Sequence, residues 1–446
     1  MVVMRKHWLF ALLWSPLSVM AATTHEFRLD NGLKVVVRED QRSPVVVAQV
    51  WYKIGSSYEQ FGSTGLSHAL EHMMFKGTAK VPTGEFSRLV SHLGGEDNAF
   101  TASDYTAYYQ LYSNTRLPLA LELEADRMVN LTLDETEFKQ EIKVVMEERR
   151  QRTDDNPQGL AFERFQSLAL LTTPSRNPTI GWMSDLNNMK IDDLRRWYQT
   201  WYAPNNATLV VVGDVKVDEV KQLANQYFAQ IPAQTLPNIA VPKEVPLIGE
   251  RQLSLELPAK VANLYLGFNV PSLTSAQNPK DVYALRMLLG VLDEGLSARL
   301  ESRLVREKRI LSAVNSGYSP FKRGDTLLTI TAIPAEGYSL DDAKTAILAE
   351  INALKTEAIS DDELKKVYAG ILADDVFSQD SISSQANQIG MMESVGLSWR
   401  TLDEFSANLK TITTEDIRQA AQQWLVPANM TTLQLKPTAL VVGEVK

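Results

Sequence analysis

The sequence predicts an α+β protein made of two homologous α/β domains. Its 446 residues are long for a single hydrophobic core. Strand-like and helix-like patterns follow one another along the chain, and the second half repeats part of the first at a constant spacing. An apolar content of 44% and a charged content of 22% are typical of globular proteins.

The first predicted elements are strands. Residues 27–29 and 33–37 flank Asp30-Asn31-Gly32, a turn sequence typical of a β-hairpin. The apolar segment 45–52 predicts a longer strand that is buried on both faces. A loop rich in glycine and serine over 55–65 then leads to a helix with an unusual set of polar residues.

That helix carries His68, Glu71 and His72 in an otherwise apolar run. In a helix the two histidines are one turn apart, so both imidazoles project from one face and can bind a single ion. Glu71 is then close enough to reach a water on that ion without being a ligand. This His-x-x-Glu-His order is the reverse of the common His-Glu-x-x-His zinc motif and predicts the same chemistry. The alternative is a hydrogen-bonded polar cluster on a half-buried helix.

A carboxylate-rich helix follows. Helices are predicted at 84–93, 117–129 and 135–152, and threonine and aromatic residues alternate as in a strand towards the end of 98–111. In the last helix Glu141 and Glu148 lie seven residues apart on one face. A catalytic zinc with two histidines needs a third protein ligand, for which we predict Glu148, with Glu141 as a supporting partner. Glu147 is the alternative ligand, and spacing alone does not exclude a solvated acidic face.

A proline-rich stretch separates the two halves. Helices at 191–202 and 217–228 bracket a predicted strand at 207–212, and five prolines follow in a short polar stretch: Pro232, Pro237, Pro242, Pro246 and Pro258. We interpret this stretch as an extended linker. The predicted domains are therefore an N-terminal zinc-binding domain at 22–230, a linker at 231–258 and a C-terminal domain at 259–446.

The second half repeats the first with an offset of 223 residues. The matching pairs are Asp193 and Asp416, Trp201 and Trp424, Pro204 and Pro427, and Asn206 and Asn429. One offset kept over a helix and a turn indicates two copies of one α/β unit. A strand at 262–268 and a helix at 281–292 correspond to the long strand and the motif helix, but that helix has no histidine. We expect the second copy to lack the metal site.

The N-terminus has the pattern of a secretory signal. Arg5 and Lys6 precede an apolar run at 8–14, and Ala21 ends a sequence acceptable to a signal peptidase. We predict a signal peptide at 1–21 and a periplasmic location, with an uncleaved anchor as the alternative. No later stretch is apolar for long enough to span a bilayer, so no stable membrane span is expected after cleavage.

The composition excludes several kinds of site and partner. The chain contains no cysteine, which excludes disulfides, a thiolate metal site and a cysteine nucleophile. A net charge of -9 and a pI near 5.3 argue against nucleic acid as a partner.

Together these motifs resemble those of the pitrilysin and insulinase-like zinc metallopeptidases, in particular the half-length, mitochondrial-processing-peptidase type and its bacterial members. The resemblance implies one Zn²⁺ per chain, bound by His68, His72 and Glu148, with Glu71 as general base and Glu141 in support. It also implies that each domain is a mostly antiparallel sheet packed with helices.

The resemblance further implies substrate contacts. Asn98, Ala99 and Phe100 match an edge strand that pairs with the substrate backbone, although Asn98 alone is also a common turn residue. Members that act alone carry an arginine and, seven residues later, a tyrosine that hold the substrate. Here Arg306 matches the arginine, but Ala313 stands where the tyrosine is expected, and Tyr318 is five residues out of register. The alternative for Arg306 is a surface cation.

The missing tyrosine bears on the assembly and on the function. We expect a dimer, and favour a heterodimer in which a subunit of the same fold supplies the arginine and tyrosine. The predicted function is a periplasmic zinc endopeptidase that hydrolyses peptides or unfolded protein segments. The alternative is a non-catalytic or partner-dependent scaffold subunit of a peptidase-like complex.

Overall fold

The computed structural model describes residues 23–438. The predicted signal peptide at 1–21 lies outside these residues. Within them the chain forms two mixed sheets packed with helices, which confirms the predicted α+β fold. A search of these residues for a helix with the length and apolarity of a membrane span finds none.

The first sheet has six strands in the spatial order β1-β2-β6-β3-β5-β4, and only β2 and β6 run parallel. The strands are β1 Thr23–Arg28, β2 Lys34–Glu39, β3 Val45–Tyr52, β4 Glu96–Thr101, β5 Thr106–Ser113 and β6 Ala207–Gly213. The helices of this half are α1 Leu66–Met73, α2 Glu85–His92, α3 Leu117–Val129, α4 Glu135–Arg149, α5 Pro157–Ala169, α6 Met183–Asn188, α7 Ile191–Trp201 and α8 Val217–Phe228. Strand β3 is central, and all its residues but the first are buried, as predicted.

The second sheet has five strands in the order β7-β11-β8-β10-β9, and only β7 and β11 run parallel. The strands are β7 Arg251–Leu257, β8 Asn263–Val270, β9 Leu311–Tyr318, β10 Thr326–Pro334 and β11 Met430–Pro437. The helices are α9 Pro279–Asp293, α10 Leu340–Thr356, α11 Asp361–Ser378, α12 Ile382–Ser394, α13 Thr401–Leu409 and α14 Thr414–Trp424.

All five strands of the second sheet have counterparts in the first, in which β1 is additional. Strands β2, β6, β3, β5 and β4 of the first match β7, β11, β8, β10 and β9 of the second in order and direction. Helices α7 and α14 begin and end with the same offset of 223 residues. The internal repeat predicted from the sequence is therefore present in the topology.

The predicted linker at 231–258 was wrong at its C-terminal end. Residues Arg251–Leu257 form β7, which pairs with β11 along its whole length. Their sequence alternates polar and apolar residues, as a half-buried strand does. Within the predicted linker, residues 231–250 belong to no helix or strand.

Each half also supplies a helix to the sheet of the other. Helix α5 packs Phe165 on the second sheet, where Gly267 leaves room because a Cβ there would lie 2.5 Å from the ring. Helix α12 packs on the first sheet, and a Cβ at Gly390 would lie 2.0 Å from the ring of Trp51. Because α5 follows α4 after a short connection, the packing of α5 also links α4, which carries Glu148, to the second sheet.

Candidate metal centre

The start of α1, the helix with the His-x-x-Glu-His sequence, is defined by Gly65 and Glu59. Gly65 precedes α1 with φ +87°, and a Cβ there would lie 2.7 Å from the carbonyl oxygen of Ile180, so glycine is required. The buried carboxylate of Glu59 accepts hydrogen bonds from the backbone N–H groups of Gly65 and Ser67, each at 2.7 Å. Burial raises the pKa of Glu59 to about 7, although both N–H groups favour its charged form.

The structure brings His68, His72 and Glu148 together. The Nε2 atoms of His68 and His72 lie 3.8 and 3.4 Å from Oε2 of Glu148, and the two rings are 4.7 Å apart. Ligand atoms about 2.1 Å from a tetrahedral ion lie about 3.4 Å from one another. Two imidazole nitrogens and one carboxylate oxygen are also a donor set that zinc prefers. The residues therefore fit a zinc ion.

His68, His72 and Glu148 are called the cluster from here on. Glu147, the alternative ligand, points away from it. Its side chain is 55% exposed and pairs with Arg150 at 2.9 Å. Glu148 is only 18% exposed. Geometry thus distinguishes two neighbouring glutamates that spacing could not.

The two histidines have different electrostatic environments. Burial, helped by the nearby His72 and Arg152, lowers the pKa of His68 to about 3, so its imidazole is neutral, as a metal ligand must be. Its Nδ1 atom is buried and has no hydrogen-bond partner within residues 23–438. For His72 burial acts in the same direction, but the hydrogen bond and charge of Glu141, together with the charges of Glu71 and Glu148, outweigh it and raise the pKa.

Glu141 fixes the orientation of His72. Its Oε1 atom lies 2.9 Å from Nδ1 of His72, and its Oε2 atom lies 2.5 Å from Nζ of Lys76. Burial opposes ionisation, but these two hydrogen bonds lower the pKa of Glu141 overall. With Glu141 ionised, Nδ1 of His72 is the donor, and the lone pair of Nε2 faces the cluster.

Glu71 lies beside the cluster on the same helix. The hydroxyl of Thr101, the last residue of β4, donates to Oε2 of Glu71 at 2.5 Å. Burial raises the pKa of Glu71, and the hydrogen bond from Thr101 partly offsets the effect. A carboxylate whose pKa is raised towards neutrality is suited to proton transfer.

The predicted substrate strand is β4, which is one of the two edge strands of the first sheet. Asn98, Ala99 and Phe100 all lie in it and pair with β5. Ala99 packs on the side of the sheet where the motif helix lies, whereas the ring of Phe100 packs against Trp51 on the side covered by α12. On the side of the sheet that carries α1, Phe100 therefore offers only its backbone.

The contacts of Arg306 are with residues other than those of the cluster. Its side chain is 51% exposed in a π-helical turn at Leu300–Glu307 and contacts the Leu296 carbonyl and Glu301. Ala313 is exposed on β9. The hydroxyl of Tyr318 donates to the carbonyl of Pro271 at 2.7 Å, so this tyrosine is already engaged.

Three residues near the cluster were missed from the sequence. Lys76 contacts Glu141, Thr101 contacts Glu71, and Arg152 contacts Glu148 at 2.6 Å. Arg152 follows Glu148 by four residues, as Lys76 follows His72. The four-residue spacing could have identified Arg152 as a partner of Glu148, whereas Lys76 follows α1 and meets Glu141 of α4, a contact that carries no such signal.

The fold and the cluster together define a two-domain protein of the inverted zinc-motif class. Residues 34–181 match the family model described as Insulinase (Peptidase family M16), and residues 188–370 match the model described as Peptidase M16 inactive domain. The chain belongs to peptidase family M16.

Relatives and solved structures agree with this assignment. The zinc protease PqqE of Helicobacter pylori is 32% identical over 415 residues, which are 92% of each chain. The crystal structure of a protease from Helicobacter pylori superimposes with a TM-score of 0.87 at 30% identity, covering 94% of this chain and 100% of that one. The periplasmic protease PqqL from Escherichia coli shares the fold with a TM-score of 0.77 at 20% identity, and the match covers 94% of this chain but 48% of PqqL.

Proposed function

We propose that this chain is a zinc-dependent endopeptidase that hydrolyses peptides or unfolded protein segments. The observation that carries the proposal is the convergence of His68, His72 and Glu148 beside Glu71. The zinc protease among its relatives is consistent with it. In this proposal His68, His72 and Glu148 hold the ion, and Glu71 is the general base.

The chemistry supplied by a bound zinc ion is polarisation of the scissile carbonyl and a lowered pKa of water. Glu71 takes the proton from the attacking water and then passes it to the leaving amine. Thr101 holds Oε2 of Glu71, which leaves Oε1 for that proton. Glu141 holds His72 in the ring orientation and tautomer that direct Nε2 at the ion.

The substrate is proposed to bind along β4. Its outer edge has no strand partner within residues 23–438, so its backbone groups are open to an extended peptide. Because Thr101 ends this strand and contacts Glu71, a peptide paired with β4 would run past the base. Folded proteins are expected to be poor substrates, because they cannot present an extended segment to this edge.

Glu71→Gln tests the role of the base. The variant should retain zinc and lose hydrolysis of an unstructured peptide by about 10²-fold to 10⁴-fold or more, because the proton acceptor is gone. Glu147→Gln is a matched control on the exposed neighbour of Glu148 and should keep full activity. Appreciable turnover by Glu71→Gln would contradict the assignment.

His72→Ala tests the metal site separately. The variant should lose stoichiometric zinc, as measured by metal analysis of the purified protein, because one of three ligands is removed. Retention of one zinc per chain would reject this ligand set.

A second candidate function is a subunit that needs a partner for catalysis. Two observations favour it: Ala313 stands where the substrate-holding tyrosine is expected, and the hydroxyl of Tyr318 is hydrogen-bonded to Pro271. Neither residue can therefore serve as the tyrosine that would act with Arg306. We propose a dimer, with a same-fold partner that supplies the arginine and tyrosine. Purification of the tagged chain from its native host should recover such a subunit. Recovery of a fully active monomer would contradict this.

We also propose a periplasmic location after removal of residues 1–21. The signal-like sequence supports it, and PqqL, which shares the fold, is a periplasmic protease. N-terminal sequencing of the mature protein from a periplasmic fraction would test it, and recovery from the cytoplasm with Met1 retained would contradict it.

A further inference from the structure

Glu148 uses its two oxygens in different ways. Its Oε2 atom faces the Nε2 atoms of both histidines, while its Oε1 atom lies 2.6 Å from Nη1 of Arg152. One oxygen of the Glu148 carboxylate therefore pairs with the guanidinium of Arg152, and the other points towards His68 and His72. Glu141 is held in a comparable way, with one oxygen on His72 and the other on Lys76.

The backbone of Arg152 is fixed although its side chain is 73% exposed. Residues Arg150–Asp154 form a π-helical turn at the end of α4, in which the N–H of Asp155 donates to the carbonyl of Arg150. A Cβ at Gly159 would lie 2.2 Å from the carbonyl oxygen of Arg152, so glycine allows α5 to approach this turn closely. This close packing fixes the backbone position from which the Arg152 side chain extends.

The neighbouring pair of Arg150 and Glu147 provides a comparison. Both of its side chains are exposed, and Glu147 does not face the cluster. Such an exposed pair contributes little to stability. The pair of Arg152 and Glu148 differs because its carboxylate is largely buried and is aimed at two imidazoles.

We infer that Arg152 is a positioning residue for Glu148, which it makes a ligand through one oxygen only. This inference rests on the metal site of the proposed function. A carboxylate that binds through both oxygens occupies a further position around the ion, and a catalytic zinc keeps that position for water or substrate. By holding Oε1, Arg152 keeps the position open and presents Oε2 already oriented.

The test compares Arg152→Gln and Arg152→Lys with Arg150→Gln, the matched control, in the full chain. Zinc dissociation constants are measured by competition with a chelator, and zinc X-ray absorption counts the nearest oxygen and nitrogen neighbours of the ion. Arg152→Gln should weaken zinc binding about ten-fold and add one oxygen neighbour, because Glu148 is no longer oriented. Arg152→Lys should recover part of the lost zinc affinity, because an ammonium can still form an ion pair with Oε1. Arg150→Gln should match the wild type.

The charge of Arg152 makes the result decisive. A guanidinium also repels a nearby dication, so tighter zinc binding by Arg152→Gln would overturn the inference and assign only repulsion to Arg152. Equal affinity and equal neighbour counts for Arg152→Gln and Arg150→Gln would overturn it too. Neither readout requires hydrolysis. If the wild type binds zinc but cleaves no peptide, the proposed activity fails and the inference stands. If the wild type binds no zinc, both fail.

Discussion

Replacing Glu141 by glutamine isolates the contribution of the residue behind His72. The carboxylate receives hydrogen bonds from His72 at 2.9 Å and from Lys76 at 2.5 Å, and its side chain is 13% exposed. A hydrogen bond to a charged group contributes about 1.5–3 kcal/mol. Glutamine can still accept a hydrogen bond from His72 through its amide oxygen, but a bond to an uncharged acceptor contributes only about 0.5–1.5 kcal/mol. The lost charge therefore predicts zinc binding that is about 10-fold weaker, at the lower end of the range found for such outer partners of metal ligands.

The assay is competition for zinc between the protein and a chromophoric chelator, with Glu147→Gln as the control. Glu147 is on the same helix and loses the same charge, but it is exposed and contacts Arg150. Long-range electrostatic effects of the lost charge should therefore be similar in both variants. Equal zinc affinities for Glu141→Gln and Glu147→Gln would refute the supporting role of Glu141. Complete loss of zinc from Glu141→Gln would instead indicate that Glu141 is a ligand.

Two further predictions concern the scaffold. The pKa of Glu59 is about 7 in the folded chain, compared with 4.5 for an unperturbed glutamate, which represents the unfolded chain. Protonated Glu59 therefore stabilises the fold fully below pH 4.5, and this stabilisation is lost as the pH rises through 7. In urea unfolding, the free energy of unfolding of the wild type should fall by up to about 3 kcal/mol more than that of Glu59→Gln between pH 5 and 8. The same pH dependence in both proteins would contradict this. Gly390→Ala should lower the free energy of unfolding by about 1–3 kcal/mol, because its Cβ would meet Trp51 at 2.0 Å. Gly370→Ala, in a helix with open space at that position, should instead raise it by about 0.5–1 kcal/mol, and a similar loss in both variants would contradict the packing of α12.

The elements of the site could be predicted because they depend on local spacing. The i, i+4 spacing of His68 and His72 places both on one helical face, and the seven-residue spacing of Glu141 and Glu148 does the same on another helix. The structure brings three of these four side chains within ligand distance of one another and places the fourth behind His72. The repeat was also readable, because a constant offset survives along the chain.

Other features depend on contacts between distant segments, and the sequence could not predict them. Apolar periodicity shows that α5 and α12 each have a buried face, but it does not say which sheet covers that face. Both helices cross to the sheet of the other half, and close packing at Gly267 and Gly390 becomes evident only in three dimensions. Likewise, the hydrogen bond from Thr101 to Glu71 joins two elements that are 30 residues apart.

The most direct test of the account measures zinc content and hydrolysis on one preparation of the wild-type chain. A mixed library of unstructured peptides is incubated with the protein, after removal of zinc by a chelator and after its return, and the products are identified by mass spectrometry. The account predicts one zinc per chain, internal cleavage that stops on chelation, and recovery when zinc is restored. Cleavage that persists in the zinc-free protein would contradict the account. Stoichiometric zinc without any cleavage, also in the presence of the native partner, would contradict its catalytic claim.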